Sequence, residues 1–83
     1  MSTSAAVLQT LADLVRINSI NSAYEDGTSE AGVVACLREF FRRRGLETWE
    51  QPVFPGRNNL IARLPGRNPQ RRIVLEAHTD TVW

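Results

Sequence analysis

"LETWEQPVFPGRNNLIARL", Leu46 to Leu64, is where the periodicity of the chain changes. Upstream, apolar residues recur three and four positions apart; from Leu46 onward they alternate. "LETWEQPV" reads as a first strand, stopped by Pro52, because proline has no amide for a ladder. "PGRN" (Pro55 to Asn58) reads as a turn and "NLIARL" (Asn59 to Leu64) as a second strand. "PGRNPQ" (Pro65 to Gln70) is another turn, and "RIVLEAH" (Arg72 to His78) a third strand. The loop between strands two and three is short, so they are expected to pair antiparallel.

Working upstream, Thr28 or Ser29 caps a helix with Glu30 in its first turn, where negative charge is favoured. Its apolar stripe is Val33, Val34, Leu37, Phe40 and Phe41. Arg42, Arg43 and Arg44 occupy its last turn, and Gly45 ends it in the left-handed conformation, with Leu46 folding back. "NSINSAYEDGT", rich in Asn, Ser, Asp and Gly, is a loop. Before it, Val7, Leu8, Leu11, Leu14 and Val15 repeat at helical spacing, with Ser4 as the expected cap and an end near Asn18. The order is α-α-β-β-β, an α/β chain with no internal repeat and no second domain.

The 83 residues suit one small domain, 42% apolar and 23% charged, a globular balance. The net charge of +1 leaves no electrostatic footprint for nucleic acid or an anionic membrane surface. No run is long and apolar enough for a bilayer span. One cysteine, Cys36, excludes an intrachain disulfide framework, and a reducing, cytoplasmic setting is expected. The N-terminus lacks the basic region of a signal peptide.

In a third strand, Ile73, Leu75 and Ala77 would share one face, and Val74, Glu76, His78 and Asp80 the other. That spacing has a chemical use. A metal-bound imidazole needs its second nitrogen held by an acceptor, which fixes the ring and its tautomer. A carboxylate two residues on can supply that. A single His cannot hold zinc, which takes three or four protein ligands, and the chain has no other His. Glu76, Cys36 and the scattered carboxylates have no metal-ligand spacing.

"IVLEAHTDTV", preceded by "NNLIARLPG" and by "SEAGVVACLREFFRRRGLE", resembles the N-terminal segment of the zinc-dependent M20 metallopeptidase and deacylase family, which includes acetylornithine deacetylase, succinyl-diaminopimelate desuccinylase, aminoacylase and glutamate carboxypeptidase. The resemblance covers nearly the whole chain. It departs at Ala77, where the family usually has Gly, and at Trp83, near where it often has Pro. Carried over, it implies that His78 is the first zinc ligand and that Asp80 is the catalytic-site carboxylate that orients it. It implies a fold that is the start of a mixed-sheet zinc-hydrolase catalytic domain. Residues 1–83 would be the N-terminal part of that domain. The bridging Asp, the general-base Glu, the other zinc ligands and the inserted dimerisation domain would lie further on, in a longer chain. The complete site would hold two zinc ions, with cobalt or manganese as substitutes. It would hydrolyse the amide of N-acyl amino acids or small peptides, in a protein that can be a homodimer. The segment alone is expected to be inactive. The rival reading is a non-catalytic α/β module with an inert His-x-Asp.

Other features have plainer readings. Arg42, Arg43 and Arg44 complement the helix C-terminus on a solvated face, with an anion site for a substrate carboxylate as the alternative. Glu76 is expected to pair with a nearby Arg, Cys36 to sit at the core edge, and Trp49 to pack under a helix. The loop from Asn18 to Thr28 reads as surface, with a substrate-cleft border as the alternative.

Overall fold

The computed structural model describes residues 3–24 and 27–82. Helix α1 spans Thr3–Val15, α2 Ala31–Arg43, strand β1 Glu47–Phe54 and β2 Arg57–Arg63. The strands form a two-stranded antiparallel sheet with Trp49 opposite Ile61 and Glu50 opposite Leu60. Helix α2 packs on this hairpin and buries Val33 and Val34, the buried apolar side chains among the described residues.

The end of α2 follows from its sequence. Gly45 takes φ +73°, its amide donates to Arg42 O and the Leu46 amide to Phe41 O, which closes the last turn. Arg42 and Arg43 reach back to Glu39, and Arg44 stacks on the Phe40 ring, 3.5 Å from its centroid. All three arginines are thereby engaged. At the other end Glu30 occupies the cap position and makes no side-chain cap bond; the Ala31 amide donates instead to Ser29 Oγ at 3.2 Å. The hydroxyl named by the sequence therefore caps from one position further out.

Several expectations are corrected. Strand β1 does not stop at Pro52 but continues to Phe54, because it is an edge strand and a bulge lies between Pro52 and Phe54. Strand β2 begins at Arg57, so the turn narrows to Pro55 and Gly56. Ser4 lies inside α1, which begins at Thr3. Trp49 is on the face of β1 away from α2 and is exposed; Thr48 and Glu50 are the half-buried positions. Helix α1 turns Ala6, Thr10 and Leu14 toward Cys36, Leu37 and Phe40 of α2. Its larger residues Val7, Leu8, Leu11 and Val15 face solvent.

The largest correction concerns Arg72 to His78. This segment forms no strand and does not pair with β2. Ile73, Val74 and Leu75 are 89%, 85% and 92% exposed. Alternation marks a segment suited to a sheet, but a ladder forms only where another strand lies alongside. Here the chain crosses away from the free edge of β2 to a different partner, described below. Glu76 makes no ion pair among the described residues, against expectation.

The consequence is an open molecule. Its radius of gyration is 14.4 Å, where a compact chain of this length has about 12 Å. Its accessible surface is 7126 Å², against about 5,000 Å² for a compact monomer of its mass. Most of α1 and all of residues 62–78 are exposed.

Candidate functional site around His78 and Asp80

The loop after α1 is built by its polar residues. Asn18 Oδ1 accepts from the Ile20 amide at 3.1 Å, and Asn21 Oδ1 accepts from the Ala23 amide at 2.9 Å. The Tyr24 amide donates to Asn21 O, and the Thr28 amide to Ile20 O. Gly27 sits against the Asn21 carbonyl so closely that a Cβ there would lie 2.1 Å from the oxygen. No other residue type fits. Glu25 and Asp26, also part of the predicted loop, lie outside the described residues.

This loop is the partner of the distal segment. Ile20 and Thr81 form a parallel bridge: the Asn21 amide donates to Thr81 O and the Thr81 amide to Ser19 O, both at 2.9 Å. Ser19 is buried by the contact. With its oxygen taken by Ala23, the Asn21 side chain can only present its NH₂ outward, and Nδ2 donates to Asp80 Oδ2 at 2.7 Å. A loop read as plain surface is thus the positioning element for Asp80.

Asp80 in turn holds His78. His78 Nδ1 is 3.0 Å from Asp80 Oδ1 and 2.8 Å from the Asp80 carbonyl oxygen. Both partners are acceptors, so Nδ1 carries the proton. Nε2 then bears the lone pair, on a side chain that is 84% exposed. The Asn21 amide, and after it the imidazole, hold the Asp80 carboxyl below its usual range, so it stays charged. The structure brings together the two residues the sequence singled out, with the expected contact between them. It adds Asn21, which the sequence reading missed.

Glu30 and Arg57 lie within the field of Asp80. The Arg57 guanidinium grips Glu30 at 3.0 and 2.5 Å and lowers its carboxyl below the ordinary value. A carboxylate so engaged is not a free ligand. Cys36 lies on the α1-facing side of α2, beside Phe40 and Leu14. Among the described residues no three His, Cys, Asp or Glu side chains come together in a metal-binding group. The contact leaves Nε2 of His78 exposed, with Nδ1 held by a carboxylate and a carbonyl oxygen. Nor does any described helix have the length and apolarity to cross a membrane.

No protein-family model, curated protein or solved structure matches the chain.

Proposed function

We propose that this chain supplies a metal-ligating histidine and its orienting carboxylate to a metal-dependent amide hydrolase of the M20 type, acting on N-acyl amino acids or small peptides. The observation that carries the reading is the His78–Asp80 contact. The proton sits on Nδ1, the carboxylate and a main-chain carbonyl hold it there, and Nε2 is left bare and outward. A metal-ligating imidazole requires this of its second nitrogen. Zinc bound in such enzymes lowers the pKa of a coordinated water and polarises the amide carbonyl. His78 would hold one ion through Nε2, Asp80 would fix the ring, and Asn21 would fix Asp80. The other donors, and the base that takes a proton from water, must come from outside the described residues. A reducing compartment suits the free thiol of Cys36.

The test is hydrolysis of a panel of N-acetyl and N-succinyl amino acids and dipeptides by the zinc-loaded polypeptide that carries this segment. Replacement of His78 by Ala should abolish turnover. Replacement of Asp80 by Ala should lower metal affinity or activity about 10–100-fold. Full turnover with Ala at position 78 would sink the proposal. A second reading rests on the bridge from Ile20 to Thr81 and the Asn21–Asp80 bond: His78 and Asp80 only tie the distal segment to the loop after α1. That reading predicts loss of stability in both variants and no metal-linked phenotype.

A further inference from the structure

Asn21 joins its own loop to the distal segment, and each of its polar atoms has a partner. Toward the loop, its main-chain oxygen accepts from the Tyr24 amide at 3.0 Å and Oδ1 from the Ala23 amide at 2.9 Å. Toward the distal segment, its main-chain amide donates to Thr81 O at 2.9 Å and Nδ2 to Asp80 Oδ2 at 2.7 Å. The loop has little apolar burial to hold it: among its described residues Ser19 alone is buried. Its order therefore depends on these hydrogen bonds, and segments held in this way open at low free energy. At the far end of the same run of bonds is the His78 imidazole, 84% exposed and held, among the described residues, only by Asp80.

We propose that the loop after α1 and the His78 site order as one unit: capture of a divalent metal ion at Nε2 orders the loop, an ordered loop raises the metal affinity, and Asn21 carries the coupling. The proposal rests on the reading of His78 as a metal ligand and adds a regulation of that site. A ring held at Nδ1 meets a metal through Nε2 at less cost than one free to turn. Metal therefore favours the state in which Asp80 is set, and Asp80 is set where the loop is closed on Thr81 and Asn21 donates to it. Differential affinity of this kind couples two places in a molecule, and the coupling is reciprocal. A contact that stiffens the loop strengthens metal binding, and one that opens the loop weakens it.

Hydrogen exchange of the polypeptide that carries this segment, metal-free and with zinc, tests the coupling through peptides that hold the Ala23, Tyr24 and Thr28 amides. Zinc should slow their exchange about five-fold or more and leave the hairpin Glu47–Arg63 unchanged. Asn21→Asp keeps the oxygen that accepts from Ala23 and replaces the donor to Asp80 with a second carboxylate oxygen. Its metal-free loop should keep the turn, zinc should no longer slow exchange there, and zinc affinity should fall about five-fold or more. A role confined to the turn would leave this variant like the wild type. The double variant N21D/D80N should regain the coupling, because the amide introduced at position 80 donates to the carboxylate at position 21 and turns its oxygen to His78 Nδ1–H. Zinc bound with loop exchange unchanged, a slowing spread equally over Glu47–Arg63, wild-type affinity in Asn21→Asp, or a double variant that stays uncoupled would each overturn the proposal. In all of these His78→Ala would still weaken zinc binding; if it did not, the metal reading would fall and the coupling with it.

Discussion

Replacing Asp80 with Asn changes one atom type and sets two neighbours in conflict. In the wild type, Oδ2 accepts from Asn21 and Oδ1 from His78 Nδ1–H. An asparagine has one acceptor oxygen. If that oxygen faces His78, its NH₂ faces the NH₂ of Asn21 across 2.7 Å. If it faces Asn21, its NH₂ faces His78 and favours a bare Nδ1. The Asp80 main-chain carbonyl, 2.8 Å from Nδ1, still asks for Nδ1–H. The variant thus opposes the tautomer that the wild type enforces. Asp80→Ala, by contrast, removes one of two acceptors and leaves the carbonyl unopposed. The Nδ1–H form should therefore dominate in the wild type, fall in Asp80→Ala and fall further in Asp80→Asn. One net hydrogen bond corresponds to about a two- to ten-fold change in tautomer ratio. Long-range proton–nitrogen correlation spectra of the neutral imidazole read the ratio directly from the two ring-nitrogen shifts. A wild type mainly in the Nε2–H form, or Asp80→Asn with an unchanged ratio, would refute the reasoning.

Gly27→Ala should drive the Asn21 carbonyl away, since the added carbon would lie 2.1 Å from it. A cost of about 1–3 kcal/mol in urea unfolding is expected, with His78 nitrogen shifts moving toward those of Asn21→Ala. At Gly45 nothing lies within 4 Å of an added Cβ, so Gly45→Ala should cost only the left-handed backbone energy, about 1 kcal/mol by thermal melting. The Glu30 carboxyl is lowered by Arg57, and the Glu39 carboxyl falls to about 2 beside Arg42 and Arg43. Both folded values lie below the unfolded 4.5, so their stabilisation is whole above pH 4.5 and is lost as pH falls through the folded values. Melting temperature should drop in that window, and Glu30→Gln should flatten the drop more than Glu39→Gln, whose partners are exposed.

What could be read from the sequence was local. The stop of α2 at Gly45, the apolar stripe through Val33 and Val34 and the two strands around Pro55-Gly56 need only neighbours along the chain. So does the His78–Asp80 contact, two residues apart. What could not be read was contact at a distance. Asn21 and Asp80 are 59 positions apart, and Glu30 and Arg57 are 27 apart. In the sequence Asn21 was one of several polar residues in a loop, and nothing there set it apart. Periodicity also shows that a stripe is apolar without showing what covers it. It gave Val7, Leu8, Leu11 and Val15 the spacing of a helix, which forms with those side chains exposed, and Arg72 to His78 that of a strand, which does not form.

The central claim is that His78 is a metal ligand through Nε2, with Nδ1 held from behind. Titrating zinc into the chain while following both ring nitrogens of His78 tests it most directly. Nε2 should shift on coordination while Nδ1 keeps its proton, at an affinity no tighter than that of an isolated histidine peptide. Coordination through Nδ1, or zinc settling elsewhere with His78 unmoved, would contradict it.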